Sequence, residues 1–177
     1  MAKSILIPRL VAAKNIDSYN RSFISETDLD NGSVFVKGDL STDADKTQVY
    51  ETVQPTTTLT GLYMAFSPED VVLTDDLGNQ FKVGTLDPRA FTNKAGVVFS
   101  GFKPSEGDLI LISADGIEGS ADDYAVAANG KDKLQFASAA GTGLSYKVVE
   151  TTYISVASAS NIGSQRVTAY LLECVKN

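Results

Sequence analysis

The sequence contains no histidine, no tryptophan and only one cysteine among its 177 residues. Without histidine there is no Ser-His-Asp triad, no imidazole proton shuttle and no imidazole metal ligand. A single cysteine excludes an intramolecular disulfide and a zinc site built from paired cysteines. Because the commonest catalytic designs are excluded, we expect a protein that is not an enzyme, with no catalytic residues, no cofactor and no metal.

Long apolar runs are missing as well. No segment reaches the roughly 18 consecutive apolar residues of a membrane span. The apolar stretch near the start is interrupted by Pro8 and Arg9 and is too short for a signal peptide. The net charge of −7, from 15 basic and 22 acidic residues, disfavours nucleic acid and anionic membranes as partners. We therefore expect synthesis in the cytoplasm and binding to neither.

The residues that are present are typical of a folded β protein. The hydrophobic content of 43% and charged content of 21% are ordinary, and eight Phe and seven Tyr can anchor a core. Short β-prone runs alternate with turn residues along most of the chain. The predicted strands cover residues 33–36, 47–53, 58–66, 71–74, 80–83, 97–102, 108–113, 124–128, 133–137, 144–156 and 166–175.

Turn chemistry links some of these strands into hairpins. Segments 75–79, 103–107 and 129–132 carry the Gly, Asn and Pro residues of tight turns, so each predicts a hairpin between its flanking strands. Helix signals are confined to short turns at 67–70 and 87–91, where a capping residue precedes proline. The predicted fold is mainly β: a compact antiparallel β-sandwich or barrel-like domain with short helical turns.

The first 30 residues differ from the rest of the chain. We interpret residues 1–30 as an extended N-terminal arm and residues 31–177 as the β-rich domain. The apolar strip in the arm would be unfavourable on a free tail, so it predicts ordering against a neighbour, with a disordered terminus as the alternative. The predicted partner-binding residues are Ile5, Leu6, Ile7, Pro8, Arg9, Leu10 and Val11.

Acidic clusters are the remaining groups that resemble ligands. Segment 28–32 lacks the spacing of an EF-hand loop, which predicts a solvated turn. Segment 115–123 holds four carboxylates, and a calcium site of oxygen ligands stays an alternative to a charged surface loop. Cys174 lies in an apolar run and is expected to be a small buried hydrophobe.

Several segments spread over most of the chain carry a resemblance to a known family. They are DNGSVFVKGDL at 30–40, the stretch 55–69, LDPRAFTNKAG at 86–96, FKP at 102–104, LSYKVV at 144–149 and QRVTAY at 165–170. These segments resemble head decoration proteins of tailed bacteriophages, also called cement or auxiliary capsid proteins. The resemblance implies attachment to the outside of a capsid shell, often as a trimer, with an N-terminal arm reaching onto the shell.

Two functions follow as hypotheses. The first is a virion structural protein that binds the major capsid protein through its arm and one sheet edge. It would stabilise the capsid exterior as a homotrimer. The alternative is a receptor- or glycan-binding module of a phage tail or head fibre. The two differ in partner, because decoration requires capsid hexamers whereas a receptor module binds host surface or glycan by itself.

Overall fold

A computed structural model describes residues 3–42, 47–68, 71–74, 80–83, 88–157 and 164–177. The protein is mainly β, as predicted, and its strands form a seven-stranded sheet, a closed five-stranded barrel and a two-stranded sheet. The described helical elements are short 3₁₀ turns at Ala12–Lys14, Asp17–Tyr19, Pro88–Ala90 and Ala114–Gly116. The turn at Pro88–Ala90 matches a predicted helical turn.

The described residues include fourteen strands, labelled in chain order. They are β1 Leu6–Leu10, β2 Asn20–Ile24, β3 Val34–Leu40, β4 Val49–Val53, β5 Tyr63–Ala65, β6 Val71–Thr74, β7 Gln80–Val83, β8 Phe99–Phe102, β9 Leu109–Ser113, β10 Ile117–Glu118, β11 Tyr124–Val126, β12 Leu134–Ala137, β13 Ser145–Ala157 and β14 Ser164–Lys176.

The barrel closes in the order β2-β4-β3-β5-β8 around an aromatic interior. Because side chains alternate along a strand, every second residue points inward. Phe23 and Phe35 meet there edge to face, with ring centroids 4.7 Å apart. Tyr63 and Phe99 complete the ring cluster, and all four side chains are buried. The barrel therefore has an aromatic core of its own.

The seven-stranded sheet runs in the order β1-β9-β14-β13-β11-β12-β10. One of its faces packs against the outside of the barrel. Ile110, Ile112 and Leu172 of the sheet are fully buried in one cluster with Val34 and Met64 of the barrel. The two layers therefore share a second, larger core that neither can complete alone.

The predicted hairpins have different outcomes. The β6–β7 and β11–β12 pairs are antiparallel as predicted, and Gly130 adopts a φ of 70° in the β11–β12 turn. Segment 75–79, the predicted β6–β7 turn, lies outside the described residues. The hairpin predicted for β8 and β9 is wrong: β8 pairs with β2 and β5 in the barrel, and β9 pairs with β1 and β14 in the sheet.

The connection between β8 and β9 crosses between the layers because long-range contacts hold it. The Asp108 carboxylate accepts hydrogen bonds from the backbone N–H groups of Ala12 and Ser105, at 2.8 and 2.9 Å. The N–H of Gly107 donates to the carbonyl of Cys174 at 2.8 Å. These bonds to both ends of the chain replace the local pairing that the turn residues predict.

Two further expectations require correction. Of the predicted strand 58–66, only Tyr63–Ala65 is a strand, because other segments satisfy its earlier backbone groups. The Leu59 carbonyl accepts from Leu144 N–H, and Leu62 N–H donates to the Asn177 side chain. The barrel and the seven-stranded sheet are also mixed rather than fully antiparallel, since β2 runs parallel to β4 and β10 runs parallel to β12.

Candidate interaction surface

The predicted partner-binding residues lie in and around β1, which is an edge strand of the seven-stranded sheet. On one side β1 pairs with β9, with Leu6 opposite Ile112 and Ile7 opposite Leu111. On its other side the described part of the chain supplies no strand. Ile5 and Leu6 are each only 2% exposed, and Val11 is buried. These three side chains belong to the protein's own core.

Both strands of segment 3–30 pair with strands from later in the chain. Besides β1 in the sheet, β2 at Asn20–Ile24 pairs with β4 and β8 in the barrel. The physical reason is that the apolar strip finds its neighbour within the same chain, on β9. What β1 leaves at the surface is Arg9, Leu10 at 67% exposure, and half-buried Ile7 and Pro8.

The outer edge of β1 is protected against pairing with another strand. Pro8 has no N–H to donate, and the register shifts between Pro8 and Leu10, which leaves Arg9 unpaired in a bulge. The Lys14 ammonium donates to the carbonyls of Pro8 and Arg9, both at 3.1 Å. Proline, bulge and lysine are common means of blocking an edge. At this edge, side chains rather than backbone groups are therefore available for contact.

Lys14 belongs to this candidate surface although it is not among the predicted partner-binding residues 5–11. Lys14 is the last residue of the 3₁₀ turn Ala12–Lys14. The two carbonyls that accept its hydrogen bonds belong to residues six and five positions earlier, Pro8 and Arg9. No periodic pattern of helix or strand signals that spacing. We define the β1 surface as Ile7, Arg9, Leu10 and Lys14, beside an open cleft of about 400 Å³ that includes Glu106.

The opposite edge of the sheet offers little backbone for pairing. β10 contains only Ile117 and Glu118, and it pairs in parallel with β12. The barrel is closed and so has no edge. Backbone addition at β1, at β10 and to the barrel is thus disfavoured, and the side chains of the β1 surface become the candidate contact at this end of the sheet.

The first acidic cluster is structural: the turn predicted at 28–32 is present, with a hydrogen bond from Ser33 N–H to the Asp30 carbonyl at 3.1 Å, but most of it is buried rather than solvated. Asp30 is 8% exposed and Asn31 is fully buried. The Asp30 carboxylate lies 3.2 Å from the Lys3 ammonium and 3.7 Å from that of Lys133. A hydrogen bond from Lys94 to Asp28, at 2.8 Å, lowers the pKa of that carboxyl below its ordinary value. These carboxylates join segments that are distant in sequence.

The second acidic cluster lies in the loop from 115 to 123. Glu118 accepts hydrogen bonds from Gln135 and Lys131, both at 3.0 Å, and they lower its pKa. Asp122 and Asp123 are exposed. Among the residues that the structure describes, no group of three or more Asp, Glu, Cys or His side chains is placed to hold a metal ion.

Cys174 is buried, as predicted, at 1% exposure. Burial raises the pKa of its thiol to about 12. A thiol that stays protonated is a poor nucleophile at neutral pH, so this side chain acts in packing.

Comparison with known proteins identifies no relative: no protein-family model, no curated protein and no solved structure matches the chain. In the described ranges, none of the helical turns has the length and apolar character needed to cross a bilayer. The function must therefore be argued from the β1 surface and from the resemblance in sequence.

Proposed function

We propose that this chain is a virion structural protein that decorates and stabilises the outside of a bacteriophage capsid by binding the major capsid protein. The resemblance to head decoration proteins supports the class of function. The observation that carries the proposal is the β1 surface, where the 67%-exposed Leu10 lies beside the exposed cations of Arg9 and Lys14. The proposed form is a homotrimer on the capsid exterior.

The charge distribution suits docking by this surface. The chain as a whole carries a net charge of −7, whereas the β1 surface presents two cations and two aliphatic side chains. An acidic patch on the shell would attract this surface and repel most of the remaining molecule. Each contact can be weak, because many symmetric copies on a shell and several chains in an oligomer act together.

The blocked edge of β1 also suits this function. An unprotected edge strand would pair with other chains during assembly. Pro8 and Lys14 prevent that pairing, while Leu10 and the Arg9 side chain stay accessible. The surface can therefore recognise a partner by shape and charge without recruiting unrelated strands.

The glycan-binding alternative has weaker support. Binding sites for sugars commonly present an aromatic face for stacking, and an open polar cleft of about 610 Å³ contains Tyr50 together with Arg21 and Gln48. The Lys37 ammonium, however, lies 4.2 Å above the centroid of the Tyr50 ring. The ring is thereby covered by a cation on one face and packs near Phe23 in the barrel. For this reason we prefer the capsid proposal.

Point substitutions test the proposal better than removal of residues 2–14. That deletion would take away β1 and expose Ile112 and Leu111, so loss of binding could reflect unfolding alone. We expect Leu10→Glu and Arg9→Glu each to lower the affinity for purified heads lacking the protein by at least about tenfold, or 1.4 kcal/mol. Co-sedimentation with the heads measures the bound fraction.

The matched control is Val149→Glu, which places the same charge at another exposed aliphatic residue, 50% exposed in β13. This variant should bind heads like the unmodified protein, and all three variants should keep its thermal midpoint. Unchanged binding of both the Leu10 and the Arg9 variant would refute docking by the β1 surface. Binding to host cells or glycans with no affinity for heads would instead favour the receptor-binding alternative.

A further inference from the structure

Strands β13 and β14 form a hairpin that extends beyond the sheet. They pair along their whole length, from Ser145 opposite Lys176 to Ala157 opposite Ser164. On one flank β9 pairs only with residues 169–173 of β14, and on the other β11 pairs only with residues 145–147 of β13. Residues 151–156 and 165–169, here called the ribbon, therefore have no third strand beside them within the described ranges except at Ala169, which pairs with Ser113 of β9.

The two faces of the ribbon differ in environment. Residues opposite each other in an antiparallel pair share a face. One face carries Ile154, Val156 and Ala169, which are buried in a cluster with Ile5 and Leu111. The other, which we call the open face, is exposed and consists of Thr151, Tyr153, Ser155, Arg166 and Thr168.

The open face begins where the core ends. Tyr170, opposite Thr151, is 9% exposed and contacts the Phe136 ring at a centroid distance of 5.1 Å. One step further along the same face, Thr168 is exposed and its partner Tyr153 is 58% exposed. The open face of the ribbon thus lies beyond the residues, such as Phe136, that cover the same face of the sheet at Tyr170.

The composition of the open face is that of a protein contact. None of its five side chains is a carboxylate, although the chain has 22 acidic residues. The guanidinium carbon of Arg166 lies 5.9 Å from the centroid of the Tyr153 ring. Tyr and Arg are enriched at the energetic centres of interfaces, whereas Asp, Glu and Lys are depleted there. The face is also basic in a chain that is acidic overall.

A complementary acidic surface lies elsewhere on the same sheet. Asp122 and Asp123 are exposed, and in the described part of the chain neither carboxylate forms an ion pair. The Asp123 carbonyl accepts from Val148 N–H at 2.8 Å, which places this surface beside the base of β13. Val148 and Ser155, the residue opposite Arg166, are seven positions apart, or roughly 24 Å along an extended strand.

Within one chain, Arg166 and the two carboxylates are therefore too far apart to meet. Between two copies they can meet, because one copy offers the cation and the next copy offers the anions. We propose that the open face of the ribbon binds a second copy of this chain, with Arg166 and Tyr153 placed against Asp122 and Asp123. The contact is head-to-tail, and such contacts close into rings when the rotation between copies permits.

This inference supplies a contact for the oligomer of the proposed function, but its test involves no heads. Sedimentation velocity of the purified protein over a range of concentrations measures the association. Arg166→Glu and the double variant Asp122→Lys with Asp123→Lys should each weaken association by at least about tenfold. Tyr153→Ala should weaken it too, and raised salt should lower the affinity of the unmodified protein.

Charge reversal on both sides provides the decisive comparison. Arg166→Glu mixed with the Asp122→Lys, Asp123→Lys double variant should associate, because the opposite charges are restored with their signs exchanged. Lys176→Glu is the control, since it makes the same charge change at an exposed residue at the base of β14. It should associate like the unmodified protein.

Three results would overturn the proposal. One is an unmodified protein that stays monomeric at every concentration up to about 100 μM, a range in which even weak contacts are detected. The others are unchanged association of the Arg166 variant and failure of the mixture to associate. Far-UV circular dichroism checks that each variant is folded, and Arg166→Gln replaces Arg166→Glu should the latter unfold. Because this experiment contains no heads, a negative result would not contradict capsid binding by the β1 surface. In the same way, loss of the capsid proposal would not contradict association through the ribbon.

Discussion

Two buried ionisable side chains face each other between β13 and β14. Tyr146 is opposite Cys174, and they are 0% and 1% exposed. Desolvation raises the pKa of the Cys174 thiol from 9.0 to about 12, and it raises the pKa of the Tyr146 phenol well above its ordinary value. The nearby Asp108 carboxylate acts in the same direction on both. Both groups are therefore neutral in the folded protein well into the alkaline range.

This arrangement predicts a loss of stability at alkaline pH. In the unfolded chain the thiol ionises near its ordinary pKa of 9.0, whereas in the folded protein its pKa is about 12. Between those values the free energy of unfolding should fall by about 1.4 kcal/mol per pH unit for this group. Urea unfolding at pH 8 and pH 10 measures the difference. Cys174→Ala should lose less stability over this interval, and an equal loss would contradict the assignment.

At the scale of elements, the barrel depends on a glycine in β8. A Cβ atom at Gly101 would lie 2.9 Å from Cδ2 of Phe23 and 3.1 Å from Cζ of Phe35. Both aromatic rings are buried and already packed against each other. The apolar sequence of β8 is enough to predict a strand. The need for glycine at position 101 arises only in the barrel, where β8 lies against Phe23 of β2 and Phe35 of β3.

Gly101→Ala is therefore expected to lower the free energy of unfolding by about 1–3 kcal/mol, the usual cost of overpacking a core. Gly141→Ala is the matched control, because its added Cβ would have its nearest neighbours at an ordinary 3.5 Å. The urea midpoint of each variant measures the effect. Equal shifts for the two variants would show that ring crowding is not the cause.

The whole molecule is held together by the core between its two layers. Met64 and Phe102 of the barrel lie in the same buried cluster as Ile110 and Leu172 of the sheet. The ion pairs of Asp30 with Lys3 and Lys133 also join three distant segments. Separating the layers would expose this apolar surface on both, at a cost of about 25 cal/mol for every Å².

The protein should accordingly unfold in one cooperative transition. Tyrosine signals in the near-UV report on Tyr63 in the barrel and Tyr146 in the sheet, while the far-UV reports on backbone structure of both layers. Unfolding curves in urea from the two spectral regions should coincide, as for other two-state domains. Separate midpoints would instead mean that one layer persists without the other.

Local sequence patterns predicted where the strands lie better than which strands pair with each other. The β6–β7 and β11–β12 pairs follow from the turn residues between their strands, and the burial of Cys174 follows from its apolar run. The β8–β9 hairpin failed because Asp108 bonds to Ala12, which is 96 positions away. The burial of Asn31 was also unforeseen, because its amide bonds to Ser67. Such contacts have no signature in a short window of sequence.

The sequence by itself determined a mainly β protein without histidine chemistry, since composition, alternation and turn residues act through the local geometry of the chain. Only the tertiary structure decided which strands close the barrel, that Leu6 is buried while Leu10 is exposed, and that Lys14 covers the edge of β1. The reason is physical: pairing and burial depend on neighbours that lie far along the chain, and the chain must fold before they meet.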